Sequence, residues 1–322
     1  MPLIGRAWKL PLAIGCAFAL LGSSPVFGQG IHVPSTPVSG KATTSVGVQY
    51  GHLFKADMNN GGDVERDSAS LGLSHRIKLN DKLSLALQAG YQLSAYDFGP
   101  STPSAPPAEP VPNAFQWGDI HEVRGVAMLS WKVNDQWSLI TAGAVFAHAE
   151  GGADFSRGLT GRAGLGFEYR ANENLKLGLL VVAASEIEDS VTVLPLPRVD
   201  WKFADNWRWR VNMMSTFGGR GIGTELSVTP TEEWEIAIGI THQRKRFRTD
   251  GTGINRDGVG EESSLPAFVR IGFKPTPGVL LNAMVGVAFS GQLKAEDRDG
   301  NRLETEDFDP APIVGIGGRF SF

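Results

Sequence analysis

The stretch Leu83-Ser-Leu-Ala-Leu-Gln-Ala-Gly-Tyr-Gln-Leu93 decides the fold. Its odd positions carry Leu83, Leu85, Leu87, Ala89, Tyr91 and Leu93, while its even positions carry Ser84, Ala86, Gln88, Gly90 and Gln92. Successive side chains of a strand point to opposite faces, so this segment has one apolar face and one polar or small face; a helix would scatter both sets around its circumference. The same alternation returns in Trp234, Ile236, Ile238 and Ile240 against Glu235, Ala237, Gly239 and Thr241, and in Val269, Ile271 and Phe273 against Arg270 and Gly272.

Working outward, segments of this kind lie near 43–54, 68–78, 83–96, 120–133, 137–148, 159–170, 175–184, 192–203, 207–216, 222–229, 234–246, 265–274, 279–290 and 312–322. Tight connections such as Asn80-Asp81, Asn134-Asp135-Gln136 and Asn172-Glu173-Asn174 alternate with mostly longer polar loops, the longest being 97–119, 247–264 and 291–311. Trp131, Trp137, Tyr169, Trp201, Trp207, Trp234 and Phe273 all fall beside the tight turns. Aromatic rings favour a membrane–water interface, and short turns at one end with long loops at the other are the pattern of a membrane barrel. The expected fold is all-β: a transmembrane up-and-down antiparallel β-barrel of about 14 strands, within a range of about 12 to 16, with both termini and the tight turns in the periplasm. Hydrocarbon cannot satisfy backbone polar groups, so such a sheet must close on itself.

At the N-terminus, Arg6 and Lys9 precede the apolar run Leu10 to Gly22 and the small-residue stretch Val26-Phe27-Gly28. That order is a secretory signal, and an apolar run of about 13 residues falls short of the roughly 20 of a membrane helix. The expected organisation is a signal peptide at 1–28, a short periplasmic segment at 29–42 and the barrel at 43–322. Cleavage would remove Cys16, the one cysteine, and would move the formal charge from −4 to −6. A mildly acidic chain without a long basic run gives no reason to expect nucleic-acid binding.

The final segment Gly315-Ile-Gly-Gly-Arg-Phe-Ser-Phe322 resembles the C-terminal assembly signal of outer-membrane barrels, with Phe322, Phe320 and Gly317 at the matching places. Gly315 stands where that signal usually has a polar residue. The strand–turn–strand units Trp131-Lys-Val-Asn-Asp-Gln-Trp137 and Trp201-Lys-Phe-Ala-Asp-Asn-Trp207 are similar to those of porin-like bacterial outer-membrane barrels not assigned a substrate. The resemblance implies a location in the Gram-negative outer membrane, with lipid, lipopolysaccharide and the barrel-assembly machinery as partners and small solutes as candidate cargo.

The polar face supplies an expected lumen lining of Arg76, Arg124, Arg162, Glu168, Arg198, Arg208, Arg210, Glu235, Arg270 and Arg319. Two readings follow. Arg208, Arg210, Arg270 and Arg319 form a constriction that favours anions, or arginines and glutamates pair across neighbouring strands and stiffen the wall. No catalytic, cofactor or metal site is expected. His32, His52, His75, His121, His148 and His242 form no catalytic pattern, since adjacent Ser74 and His75 face opposite sides of a strand. The acidic run Glu296 to Asp307 lacks the spacing of a calcium loop. A channel for small solutes and a non-conducting structural or surface-interaction barrel remain the two function classes.

Overall fold

A computed structural model of the chain describes residues 42–59, 61–99, 114–115, 117–217, 219–252 and 255–322. The expected signal peptide, and most of the proline-rich loop at 97–119, lie outside the described residues. Among the described residues fifteen strands run in order: β1 (Ala42–Asp57), β2 (Asp63–Lys78), β3 (Leu83–Phe98), β4 (Asp119–Lys132), β5 (Trp137–Glu150), β6 (Leu159–Arg170), β7 (Leu175–Glu186), β8 (Asp189–Trp201), β9 (Trp207–Thr216), β10 (Gly219–Val228), β11 (Trp234–Arg248), β12 (Val259–Phe273), β13 (Val279–Glu296), β14 (Arg302–Phe308) and β15 (Ala311–Ser321). Each pairs antiparallel with the next through β13. β13 is long enough to pair with β15 along 279–288 and with β14 along 291–296. Thus β14 and β15 are one staircase strand broken at Asp309-Pro310, and β15 closes on β1 from Ser45↔Ser321 to Leu53↔Ile313. The result is a closed antiparallel barrel with 14 staves. Phe322 adds the last rung, its N–H donating to the Thr44 carbonyl (2.9 Å) and its carbonyl accepting from the Thr44 N–H (2.8 Å).

The turns at one end are held locally. Asn80 Oδ1 accepts from the N–H groups of Lys82 and Leu83, and Asn134 Oδ1 accepts from those of Gln136 and Trp137. Such Asx turns are what an Asn-Asp pair between two strands offers the backbone.

The opposite end departs from the expected long loops. Residues 291–311 are mostly strand and 247–264 are strand at both ends, because β11, β12 and β13 continue beyond the strand ends expected from the sequence. Two connections there are as short as the turns: Ile187-Glu188 and the pair 217–218. Several charged residues of those expected loops, among them Arg248, Glu261, Glu262 and Lys294, belong to strands and pair with other charged side chains.

The exterior is apolar along its middle, where Val48, Leu71, Leu165, Ile238, Val285 and Ile316 are all exposed. At the turn end the aromatic rings pack in pairs, with Trp137–Tyr169 at 4.7 Å and Trp234–Phe273 at 4.5 Å between centroids. An apolar band bordered by rings at this scale is unfavourable in water and favourable in lipid.

Candidate functional site

The site begins with a break in the wall. β8 and β9 pair only at Val199↔Val211, Asp200↔Arg210 and Trp201↔Trp209, next to the turn. Above these pairs β8 continues to Asp189 with no partner on its β9 side. The sequence explains why: Leu194-Pro-Leu-Pro-Arg198 places Pro195 and Pro197 two residues apart, so both missing N–H donors fall on one edge of the strand. Proline is confined to strand edges for that reason.

Freed from β8, the β9–β10 hairpin tilts inward. Its outer face, through Met213 and Ile222, packs on the inner face of β7 and β8 at Leu180, Val182, Leu194 and Leu196. The seam is thus closed by side chains and not by a hydrogen-bond ladder. Met214, on the other face, joins Leu53, Phe217, Phe268 and Met284 in the main apolar cluster. The tip reaches the far wall: Ser215 Oγ donates to Gln49 Oε1 on β1 (3.2 Å). Phe217 is fully buried with φ 51°, a left-handed conformation that costs a bulky residue energy but that two-residue hairpin turns require. Two glycines make its seat. A Cβ on Gly51 would lie 2.5 Å from the Phe217 carbonyl carbon, and one on Gly315 would lie 3.2 Å from the ring.

β11 follows the hairpin inward and ends against β5, with Arg248 bridging to Ala149 in parallel. Around these leaning strands the interior fills with ion pairs. Arg66 and Tyr96 both donate to Glu262, and Arg220 donates to Glu122. Glu122 also accepts from Arg124 at 3.0 Å. Arg244 donates to Glu261 at 2.6 Å, and Arg246 pairs with Glu261 and Glu296. A void left among these groups holds about 50 Å³, space for a few waters.

Below the hairpin, toward the turns, lies a vestibule of about 860 Å³. Arg210, Arg270 and Arg319 border it, and Arg208 lies outside its lining. Of the four arginines expected at an anion constriction, three are paired with carboxylates. Arg208 grips Asp200 at 2.5 and 2.6 Å. Arg210 reaches Glu225 (2.6 Å) and Glu235 (3.0 Å), and Arg270 reaches the same two at 2.9 and 2.5 Å. Charge pairing across adjacent strands neutralises three of the four cations, which leaves Arg319.

The remaining lumen candidates are dispersed. Arg124 is buried beside Glu122, Arg162 lies 5.0 Å over the Phe146 ring, and Arg198 pairs with Glu168 at 3.5 Å. Arg76, on β2, makes no ion pair among the described residues and lies near Arg198. The basic lean read from the sequence overlooked Glu186, Glu261 and Glu262, which are acidic partners of the interior cations. The signal that would have found them is the block Arg244-Lys-Arg-Phe-Arg248 facing Glu261-Glu262 across one hairpin. In the acidic run, the Asp297 carboxylate is occupied by its own turn, accepting from the N–H groups of Asp299 (2.9 Å) and Asn301 (2.8 Å).

Apolar outside, closed in the sheet and polar within, the molecule has one architecture. The fold is that of an up-and-down antiparallel transmembrane β-barrel. Among solved structures this barrel is similar to an outer-membrane channel from Pseudomonas putida F1, with 15% identity and a TM-score of 0.45 over 88% of this chain and 96% of that one. It is also similar to the P. putida toluene transporter TodX, with 10% identity and a TM-score of 0.42 over 87% and 89%. The KdgM porin shows 9% identity and a TM-score of 0.35 over 86% and 99%. No protein-family model matches the barrel's sequence, and no curated protein matches it significantly.

Proposed function

We propose that this protein is a gated outer-membrane channel for small solutes, closed along its axis in this conformation, which admits compact apolar molecules through the seam between β8 and β9. One observation carries the reading: β9 leaves β8 after three residue pairs. An unpaired strand edge at membrane depth is costly, and it is tolerated only where protein covers it or where it lines a cavity. Starting from Trp201 in the aromatic border, the roughly 10 residues that a tilted strand needs to cross the hydrocarbon take β8 to about Val191. The unpartnered stretch therefore faces lipid through most of that thickness.

The covering side chains are Met213 and Ile222 against Leu194 and Leu196. Apolar contacts of this kind part without breaking hydrogen bonds, so the seam itself separates at lower cost than a hydrogen-bond ladder would. Along the axis, by contrast, a solute must separate ion pairs such as Arg220–Glu122. A polar solute has no wide path and an apolar one has a wall that opens toward lipid.

The test is transfer into proteoliposomes of a small apolar fluorophore and, separately, swelling in graded sugars. The account expects fluorophore transfer above that of empty vesicles, with little sugar-driven swelling. Free swelling without fluorophore transfer would make it an ordinary open porin. Passage of neither would favour a structural barrel.

A further inference from the structure

We infer that the vestibule contains a binding site for a small organic carboxylate, centred on Arg319 over a floor of glycines. The strand register builds it. Gln49, Gly317 and Asn282 stand in one row across β1, β15 and β13, and Gly47, Arg319 and Leu280 stand in the next. Neighbours on one face of a sheet lie about 5 Å apart across strands and about 7 Å along them. Arg319, Gln49 and Asn282 therefore surround Gly317, and all four border the same vestibule. Gly47 and Gly317 put no side chain into the floor, and the Asn282 amide lies over Gly317, 3.2 Å from where a Cβ would stand.

The chemistry of this triangle is that of a receptor. Arg319 is half-buried and has no charged neighbour among the described residues. Elsewhere in the vestibule, Arg210 and Arg270 are charge-paired with Glu225 and Glu235. Gln49 accepts the Ser215 hydroxyl through its oxygen, which leaves its amide N–H groups for another acceptor. A planar, always-charged guanidinium beside amide donors matches a carboxylate, which takes two parallel hydrogen bonds from one arginine. Leu280, Met214 and Met284 supply apolar surface nearby, so the ligand carries one negative group on a compact apolar body.

This inference rests on the channel reading only for how the ligand arrives. Binding is therefore measured in detergent, by titration calorimetry of the purified barrel with benzoate, with benzyl alcohol as the uncharged counterpart and inorganic phosphate as competitor. Benzoate is expected to bind and benzyl alcohol to bind more weakly. Arg319→Gln should weaken benzoate by about ten- to a hundredfold, the usual consequence of losing a charged hydrogen-bond partner, while Arg319→Lys restores part of it.

Because Arg319 lies within the closing strand, Asn282→Leu serves as a second variant that leaves that strand intact, with a several-fold loss expected. Absence of benzoate binding to the unaltered barrel would overturn the site, as would equal affinity in the unaltered barrel and whichever of these variants fold. Phosphate competing as strongly as benzoate would overturn the carboxylate assignment. Benzoate binding without any solute passage would count against the channel reading alone.

Discussion

Gly51→Ala is expected to unlock the axis of this barrel with a single methyl group. The added Cβ would lie 2.5 Å from the Phe217 carbonyl carbon and 2.7 Å from its Cα and oxygen. Ordinary carbon contacts are about 3.5–4.0 Å, so the hairpin tip must retreat by about 1 Å or more. Both sides of this contact are backbone, and no side chain can swing aside. Retreat lifts a fully buried phenylalanine from its seat, and loss of such packing costs about 3–5 kcal/mol in a core. Even about 3 kcal/mol changes the ratio of closed to open hairpin by roughly 150-fold, since about 1.4 kcal/mol is a factor of ten. Planar-bilayer recording reads this as a rise in open time and mean current. Gly315→Ala should act more weakly, because its Cβ would meet the Phe217 ring at 3.2 Å, and a ring can shift. Gly143→Ala, where nothing lies within 4 Å, should do nothing. Currents from Gly51→Ala that match those from Gly143→Ala would refute the seating of the hairpin as the gate.

Other consequences are equally direct. Arg270→Met leaves Glu225 and Glu235 sharing one arginine and should lower stability by about 3–5 kcal/mol, measured by denaturant unfolding in detergent; a cost below about 1 kcal/mol would mean that the quartet is solvated. Replacing Pro195 and Pro197 together by Val returns two donors to the β8 edge and should slow hydrogen exchange in β9 above Val211, whereas unchanged exchange would remove proline as the cause of the seam. Asp297 is held below the usual aspartate range by the Asn301 side chain and by backbone N–H donors of its own turn. A depressed value stabilises the folded turn above the ordinary aspartate pKa of about 3.9 and loses that effect as pH falls through the folded value. Protection of the Asp299 and Asn301 amides should therefore fade at acid pH, and constant protection would show that the carboxylate is not the cap. Deleting Phe322 removes the rung with Thr44 and should reduce insertion into the outer membrane more than it alters any barrels that form; normal insertion would discount the terminal aromatic as an assembly signal.

Much of this architecture is legible in one dimension, because a sheet that meets lipid outside and polar groups inside writes period two into every stave. The Asn-Asp turns and the tryptophans beside them fix which end is which. What is not legible follows from side chains that answer to partners across the lumen. Arg244, Arg246 and Arg248 interrupt the apolar pattern, and the strand expected there stops at 246, yet β11 runs on through Arg248 and all three are engaged with β7, β12, β13 or the Ile187-Glu188 turn. Phe217 looks like a turn residue, and only Gly51 and Gly315, far away in sequence, show that it is buried. Pro195 and Pro197 were the readable warning that β8 ends a ladder. Of the ten candidate lumen residues, Arg210, Glu235 and Arg270 are brought together at the vestibule, and Arg319 borders it. The others pair or pack elsewhere, because register sets who meets whom and a single strand does not reveal it.

The central claim is that the β9–β10 hairpin, a stave pair at its base, leans into the lumen above its three pairs with β8 and carries its tip to β1. Cysteines placed at Gln49 and Ser215, which touch here at 3.2 Å, test it in intact outer membranes with a short bis-thiol reagent. The account predicts efficient intramolecular cross-linking between β1 and β9. Failure to cross-link, with both cysteines reacting freely with a monofunctional thiol reagent, would contradict it.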